Sequence, residues 1–162
     1  MRYALMTLAA VMLSPAASCH PVETSTKAES IKTPTPIEIV TAFSAAFPQD
    51  NGRMAIRRWF TPKTVWINEG VSKTTGIEEA LAFRERRNSS SSIAAVYFDL
   101  LAIAADGNRV LTERLDRFVR SDGSEIAAFK VMGIFEVDGD HIVAWHDYFD
   151  VNATKKLSND RH

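Results

Sequence analysis

The 162-residue sequence contains a single cysteine and carries almost no net charge. One cysteine excludes a disulfide within this chain and a metal site built from several cysteines. With a formal net charge of −1, the chain does not have the overall positive charge expected of a nucleic-acid-binding protein. This charge also provides no strong electrostatic field to steer a charged ligand. No apolar run approaches the roughly 20 residues of a transmembrane helix. The length and composition that remain are those of one globular domain with its own core.

The histidines and serines also lack catalytic or metal-binding patterns. The four histidines show no metal-ligand spacing, and there is no Gly-x-Ser-x-Gly segment of the kind that holds a nucleophilic serine. We therefore expect no metal, no other cofactor and no covalent nucleophile. The histidines are His20, His141, His146 and His162.

Residues 1–19 have the pattern of an export signal. Arg2 is followed by an apolar stretch and then by small residues before Cys19. This end resembles the lipobox of bacterial lipoproteins, which implies lipidation of Cys19 and a membrane tether. Ordinary cleavage near Ala17 or Ser18 is the alternative, and the mass of the mature N-terminus distinguishes the two. Either way we predict an exported protein, periplasmic or anchored to a membrane.

The folded domain is predicted to span residues 35–152. Residues 20–34 are polar and read as a flexible linker, and residues 153–162 read as a polar tail. Thr35 can cap a helix that has Pro36 at its first position. Further helices are predicted at 53–60 and 76–87, and the Arg84–Arg87 cluster is expected to be a solvated last turn rather than a nucleic-acid contact. The predicted strands are 64–69, 94–104, 109–120, 125–137 and 141–150.

Helices followed by hairpin-connected strands indicate an α+β fold. The strand at 125–137 has an unbroken apolar face that the N-terminal helices can cover. Gly133 lies within that strand, where it allows strong curvature. We therefore expect a curved sheet wrapped around the helices, with a pocket between them.

Two strands place charged side chains on apolar faces. On Val110–Phe118, Arg114 and Asp116 are two residues apart and so share a face. On His141–Asp150, the face that carries Asp147 also carries Val143, Trp145 and Phe149. If the two faces look at one another, an arginine lies between two aspartates in an apolar pocket, where pKa values are easily perturbed.

Simpler interpretations remain open at this point. Arg114 and Asp116 can be a structural ion pair. Trp66 and Trp145 can be core residues, and Asn68 can be a strand-end residue. Asp147 is the hardest to explain in this way, because its neighbours on the same face are large and apolar.

Three motifs in this order resemble the limonene-1,2-epoxide hydrolase family. They are Val110-Leu-Thr-Glu-Arg-Leu-Asp116, Gly133-Ile-Phe-Glu-Val137 and Ile142-Val-Ala-Trp-His-Asp-Tyr-Phe-Asp150. The resemblance spans roughly residues 36–150 and is sharp only over the last third. It implies an NTF2-like cone with a curved mixed sheet, and family members are usually homodimers. Ketosteroid isomerases and polyketide cyclases share this fold, so the fold alone does not set the function.

The family's Asp-Arg-Asp triad maps onto this sequence residue by residue. The resemblance implies that Asp147 is the base that activates water, that Asp116 is the acid that protonates the epoxide oxygen, and that Arg114 binds both. Asn68 matches an amide that holds the water. Trp66 stands where the limonene enzyme has a water-holding tyrosine, and an indole N–H only donates. The candidate substrate-binding residues are Trp66, Trp145, Phe118, Phe135 and Phe149.

The expected function is the addition of water to a small lipophilic epoxide, giving a vicinal diol. Two close carboxyls in an apolar pocket titrate as a pair, so one can be ionised while the other keeps its proton. Opening an epoxide needs that combination. The alternatives are an NTF2-like isomerase or cyclase, and an exported module that binds an apolar ligand without turnover.

Overall fold

The computed structural model describes residues 32–89, 92–155 and 157. The predictions for the export signal, for Cys19 and for most of the linker lie outside these residues. Within the described ranges, no helix is both long and apolar enough to cross a membrane.

Three helices precede most of the strands. They are α1 (Pro36–Ala46), α2 (Arg53–Trp59) and α3 (Gly76–Ser89). The predicted cap of α1 is present as a capping box. The Glu38 N–H donates to Thr35 Oγ1 at 3.3 Å, and the Thr35 N–H donates to Glu38 Oε2 at 2.7 Å. Ile39, Val40 and Phe43 form the buried stripe of α1.

The strands form one six-stranded sheet in the order β2-β1-β6-β5-β4-β3. They are β1 (Phe60–Asn68), β2 (Ser72–Thr75), β3 (Ala95–Asp106), β4 (Arg109–Val119), β5 (Glu125–Asp138) and β6 (His141–Tyr148). The antiparallel run from β3 to β6 is the predicted one. The sequence did not predict β2, nor that β1 pairs with β6 in parallel. The result is the expected α+β fold with a curved mixed sheet.

The core lies between the helices and the concave face of this sheet. Helix α1 packs against β3 and β4, and α3 packs against β1. Aromatic side chains fill the space, with the Phe43 and Trp145 rings 5.2 Å apart and the Phe135 and Trp145 rings stacked at 5.3 Å. The apolar face of β5 is buried as predicted, at Ala127, Val131, Phe135 and Val137.

Local details differ from the sequence predictions. The pairing of β5 with β6 shifts register between Glu136 and Val137, so Ile142 rather than Val143 is fully buried. Leu157 is also buried in the core, although residues 153–162 read as a polar tail. One apolar residue in a polar segment is too weak a signal to predict that contact.

Candidate active site

The register of four neighbouring strands brings the predicted site together. Across the concave face, Thr112 on β4 pairs with Gly133 on β5, Gly133 pairs with Asp147 on β6, and Asp147 pairs with Asn68 on β1. The sequence predicted this triad on the condition that the charged faces of β4 and β6 look at one another, and they do not. They belong to the same face of one sheet, with β5 between them, and the side chains meet across Gly133.

Arg114 bridges the two aspartates. Its Nε donates to Asp116 Oδ1 at 2.9 Å, and its Nη2 donates to Asp116 Oδ2 at 3.1 Å and to Asp147 Oδ2 at 2.9 Å. The guanidinium is fully buried, 4.6 Å from the centre of the Phe98 ring and 5.6 Å from that of Trp145. This planar fork sets the separation and orientation of both carboxyl groups.

The other oxygen of Asp147 is held by its own strand. Trp145 Nε1 donates to Asp147 Oδ1 at 2.7 Å, a contact between residues two apart on the concave face of β6. Asp147 is 3% exposed and Asp116 is 5% exposed. The two acids are therefore almost dry, and each has both oxygens within hydrogen-bond distance of a donor.

Burial dominates the titration of the pair. It raises the pKa of Asp116 to about 6, against partial compensation by Arg114. Burial likewise raises the pKa of Asp147, against Arg114 and the Trp145 N–H. Burial alone would lower the pKa of Arg114, but the two carboxylates raise it overall, so Arg114 stays charged. One proton shared by the two acids makes the three groups neutral together.

Gly133 leaves room for the arginine. A Cβ at this position would lie 2.5 Å from Arg114 Nη1, 2.7 Å from Thr112 Oγ1 and 2.9 Å from Asp147 Oδ1. The position of this glycine within a strand indicated a role in sheet curvature. The contacts give it a second role, because only a residue without a side chain lets the guanidinium cross β5 to reach Asp147.

We therefore expect Gly133→Ala to displace Arg114 and to destabilise the fold by about 1–3 kcal/mol, the usual cost of overpacking. Chemical denaturation measures this change. Lys130→Ala is the matched control, since Lys130 is an exposed residue of the same strand whose ion pair with Glu113 is also at the surface. That variant is expected to stay within about 0.5 kcal/mol of the wild type. Equal stability of Gly133→Ala and wild type contradicts the packing argument.

A cavity opens beside the two acids, and its volume is about 70 Å3. Asp116 and Asp147 are on its wall, whereas the fully buried Arg114 is not among the residues that line it. Of the predicted substrate-binding and water-holding residues, those that line this cavity are Asn68, Trp66, Trp145, Phe118 and Phe149. Phe135 does not line it. It is fully buried and stacked on Trp145, so the structure does not bring it to the cavity with the other predicted residues.

The C-cap of α1, helix α3 and strand β3 add wall residues that the sequence did not predict. They are Phe47, Phe83, Arg84, Arg87, Val96 and Phe98. Arg84 is 6% exposed, so the expectation of a solvated last turn is wrong for this residue, although Arg86 is exposed. A run of arginines does not reveal which one faces the core. The sequence did offer one signal: Arg84 lies four residues after Ala80, an apolar position of α3, and residues four apart lie on the same face of a helix.

Two polar groups on β1 complete the wall near Asp147. Asn68 Nδ2 donates to Ser72 Oγ at 3.0 Å. The carbonyl oxygen of the same side chain is a hydrogen-bond acceptor. Trp66 is stacked on Trp145 at 4.6 Å, with ring planes 3° apart. Its Nε1 is buried and has no acceptor within the described part of the chain. A buried N–H without an acceptor is costly, which favours a polar guest beside it.

Across the described ranges, no group of three or more histidine, cysteine or acidic side chains is placed to hold a metal ion.

The family model of the limonene-1,2-epoxide hydrolase (LEH) catalytic domain matches residues 34–158. The chain belongs to the limonene-1,2-epoxide hydrolase family. A solved structure of an LEH-like epoxide hydrolase from Mycobacterium tuberculosis is 30% identical and has a TM-score of 0.61, covering 77% of this chain and 90% of that one. Epoxide hydrolase EphG of the same species is 51% identical over 49 residues, which are 30% of this chain and 32% of that protein. The latter match therefore spans about a third of the curated relative.

More distant structures support the fold of this LEH family member. A SnoaL-like polyketide cyclase described from Jannaschia sp. CCS1 is 16% identical with a TM-score of 0.62, covering 76% of this chain and 91% of that one. At this identity the likeness shows the architecture alone. It confirms the predicted NTF2-like fold.

Proposed function

We propose that this LEH family member is an epoxide hydrolase that adds water directly to a small lipophilic epoxide and releases a vicinal diol. The observation that carries the proposal is the dry Asp116–Arg114–Asp147 arrangement, whose two acids lie on the wall of a cavity lined mostly by apolar side chains. A ketone isomerase or cyclase needs one proton shuttle and gains little from a bridging arginine. That difference favours the hydrolase.

The two acids have opposite roles in the proposed reaction. Asp147, as carboxylate, removes a proton from water while the water oxygen bonds to one epoxide carbon. The C–O bond of the epoxide breaks, and Asp116 donates its proton to the departing oxygen. The pair holds one proton before and after the reaction, on Asp116 at the start and on Asp147 at the end. Exchange with solvent restores the starting arrangement.

Side chains around Asp147 provide a site for the attacking water. A water molecule there can donate to the Asp147 carboxylate and to the Asn68 carbonyl oxygen, and it can accept from the buried Trp66 N–H. These three contacts leave one lone pair to attack carbon. Trp66 thereby supplies the hydrogen-bond donor that the tyrosine supplies in the limonene enzyme. It does not supply an acceptor, as the tyrosine can.

Removing this N–H tests the role of Trp66. We expect Trp66→Phe to lower kcat about tenfold, the usual value of one buried hydrogen bond, with a smaller change in KM. Trp66→Tyr supplies a donor again and is expected to recover most of that loss. Thermal unfolding of both variants checks that the core is intact. A folded Trp66→Phe variant with wild-type kcat excludes the indole from water binding.

The pKa of Asp116 predicts the pH dependence. This acid must hold its proton to work, and its pKa lies at about 6. Hydrolysis is therefore expected to slow as the pH rises above about 6, approaching a tenfold loss in kcat/KM per pH unit. On the acid side the rate falls as Asp147 becomes protonated. A profile of kcat/KM between pH 4 and 9 checks both limbs, and a rate that climbs steadily with pH is incompatible with Asp116 as the acid.

One assay separates the hydrolase from its rivals. The purified protein is incubated with limonene oxide, cyclohexene oxide and styrene oxide, and diol formation is followed by chromatography. Diol supports the proposal. Isomerisation of an enone without diol supports an isomerase, and saturable ligand binding without turnover supports a binding module.

We also propose that the protein is exported. This proposal rests on the pattern of residues 1–19.

A homodimer is proposed as well. The dimer rests on apolar side chains on the convex face of the sheet, where Leu111 and Met132 are 43% and 51% exposed and Tyr148 is 41% exposed. Light scattering after size exclusion tests the dimer, and a monomer at micromolar concentration rejects it.

A further inference from the structure

Arg84 is a buried cation with neutral partners. Its Nε donates to the main-chain carbonyl oxygen of Asn51 at 3.0 Å, and its Nη2 donates to the side-chain Oδ1 of the same residue. The guanidinium lies 5.2 Å from the centre of the Phe47 ring. Among the residues that the structure describes, it forms no ion pair with a carboxylate. Burial, and to a smaller extent the neighbouring charge of Arg87, lower the pKa of Arg84 to about 10, so the group is still charged near neutral pH. Buried charges in proteins are normally paired with an opposite charge.

This cation belongs to the wall of the cavity already described. Arg84 and Arg87 are three residues apart on α3, on one face of the helix, and both line the cavity that contains Asp116 and Asp147. Arg114 and the shared proton neutralise the two acids. Arg84 therefore adds to the cavity wall a positive charge that no carboxylate of the described residues pairs with.

We propose that Arg84 and Arg87 bind a carboxylate of the substrate, so that the preferred epoxides are amphipathic acids rather than neutral hydrocarbons. This inference rests on the proposed epoxide hydrolysis and specifies its substrate class. The apolar side chains of the wall contact the hydrocarbon part, and the two arginines supply the donors that a carboxylate accepts. The reaction is unchanged, because the carboxylate takes no part in bond making or breaking.

A pair of isosteric ligands tests the binding separately from the chemistry. Octanoate and octanamide have nearly the same shape and differ in charge, and Trp66 and Trp145 on the cavity wall report binding by fluorescence. Octanoate is expected to bind at least about tenfold more tightly, as a charge-assisted hydrogen bond in a buried site allows. Equal affinities overturn the inference and leave Arg84 as a structural cation that ties α3 to Asn51.

Substitutions then locate the effect. Arg84→Gln and Arg87→Gln are each expected to reduce the octanoate-to-octanamide affinity ratio about tenfold. Arg86→Gln removes the same charge from an exposed position of the same helix and should leave the ratio unchanged. Arg87, which is half-buried, provides the test if Arg84→Gln does not fold. A ratio that is insensitive to both substitutions overturns the inference.

Turnover distinguishes this inference from the function on which it rests. An epoxyhexanoic acid and its primary amide are compared by kcat/KM in the wild-type enzyme. Faster hydrolysis of the acid supports both proposals. Equal hydrolysis of the two overturns the carboxylate site alone. No hydrolysis of either, together with tight octanoate binding, overturns the hydrolase and keeps the anion site.

Discussion

Asp147→Asn is expected to lower kcat for epoxide hydrolysis by about a thousandfold, within the range seen when a general base is lost. The amide keeps the size of the side chain and its contact with Trp145, but it cannot accept a proton from water. KM should change little, because the cavity wall is preserved. Steady-state diol formation measures the effect, with near-ultraviolet circular dichroism to verify the fold.

Asp138→Asn is the matched control, since Asp138 is an exposed aspartate at the end of β5 and should behave as the wild type. Asp116→Asn tests the opposite role. Its amide can donate a hydrogen bond to the epoxide oxygen but cannot transfer a proton, so we expect a loss of similar size. An Asp147→Asn enzyme within tenfold of the wild-type kcat rules out the proposed base.

Arg114→Met is expected to cost about 3–5 kcal/mol of unfolding free energy, the range found when one partner of a buried ion pair is removed. Two carboxyl groups would be left in the core without their cation. The loss should shrink at low pH, because the raised pKa values of both acids rise further without the arginine and their protonated forms are neutral. Urea denaturation at pH 4.5 and 7.5 measures the difference.

Arg117→Met is the control for this substitution. Arg117 is on the same strand and also pairs with an aspartate, at 2.6 Å from Asp99, but the pair is partly exposed to solvent. Exposed pairs contribute about 0–1 kcal/mol. If the two variants lose equal stability at pH 7.5, burial of the triad does not have the energetic weight assigned to it.

Much of the triad could be predicted from strand periodicity. Alternation on β4 places Arg114 and Asp116 on the buried face, and alternation on β6 places Asp147 beside Trp145, as observed. Arg84 shows where such reasoning fails. A charge on a helix end is usually solvated, and only the packing of α3 against its neighbours shows that this one is buried.

Gly133 and Phe135 show the same limit within one strand. Both lie on the buried face of β5, as their spacing predicts. Their different roles depend on the residues across from them. Gly133 lies beneath Arg114, and Phe135 packs behind Trp145, away from the cavity.

The sequence by itself determined the helices and five of the six strands, the capped start of α1, the inward faces of β4 and β5, the inward Trp145 and Asp147 of β6, and membership of a family through three short motifs. Only the tertiary structure decided that β1 joins β6 in parallel, that Asn68, Asp147 and Gly133 form one row, and that α3 adds two arginines to the cavity wall. The reason is physical. Side-chain direction along a strand follows from local backbone geometry, whereas register and helix packing depend on contacts between residues far apart in the chain.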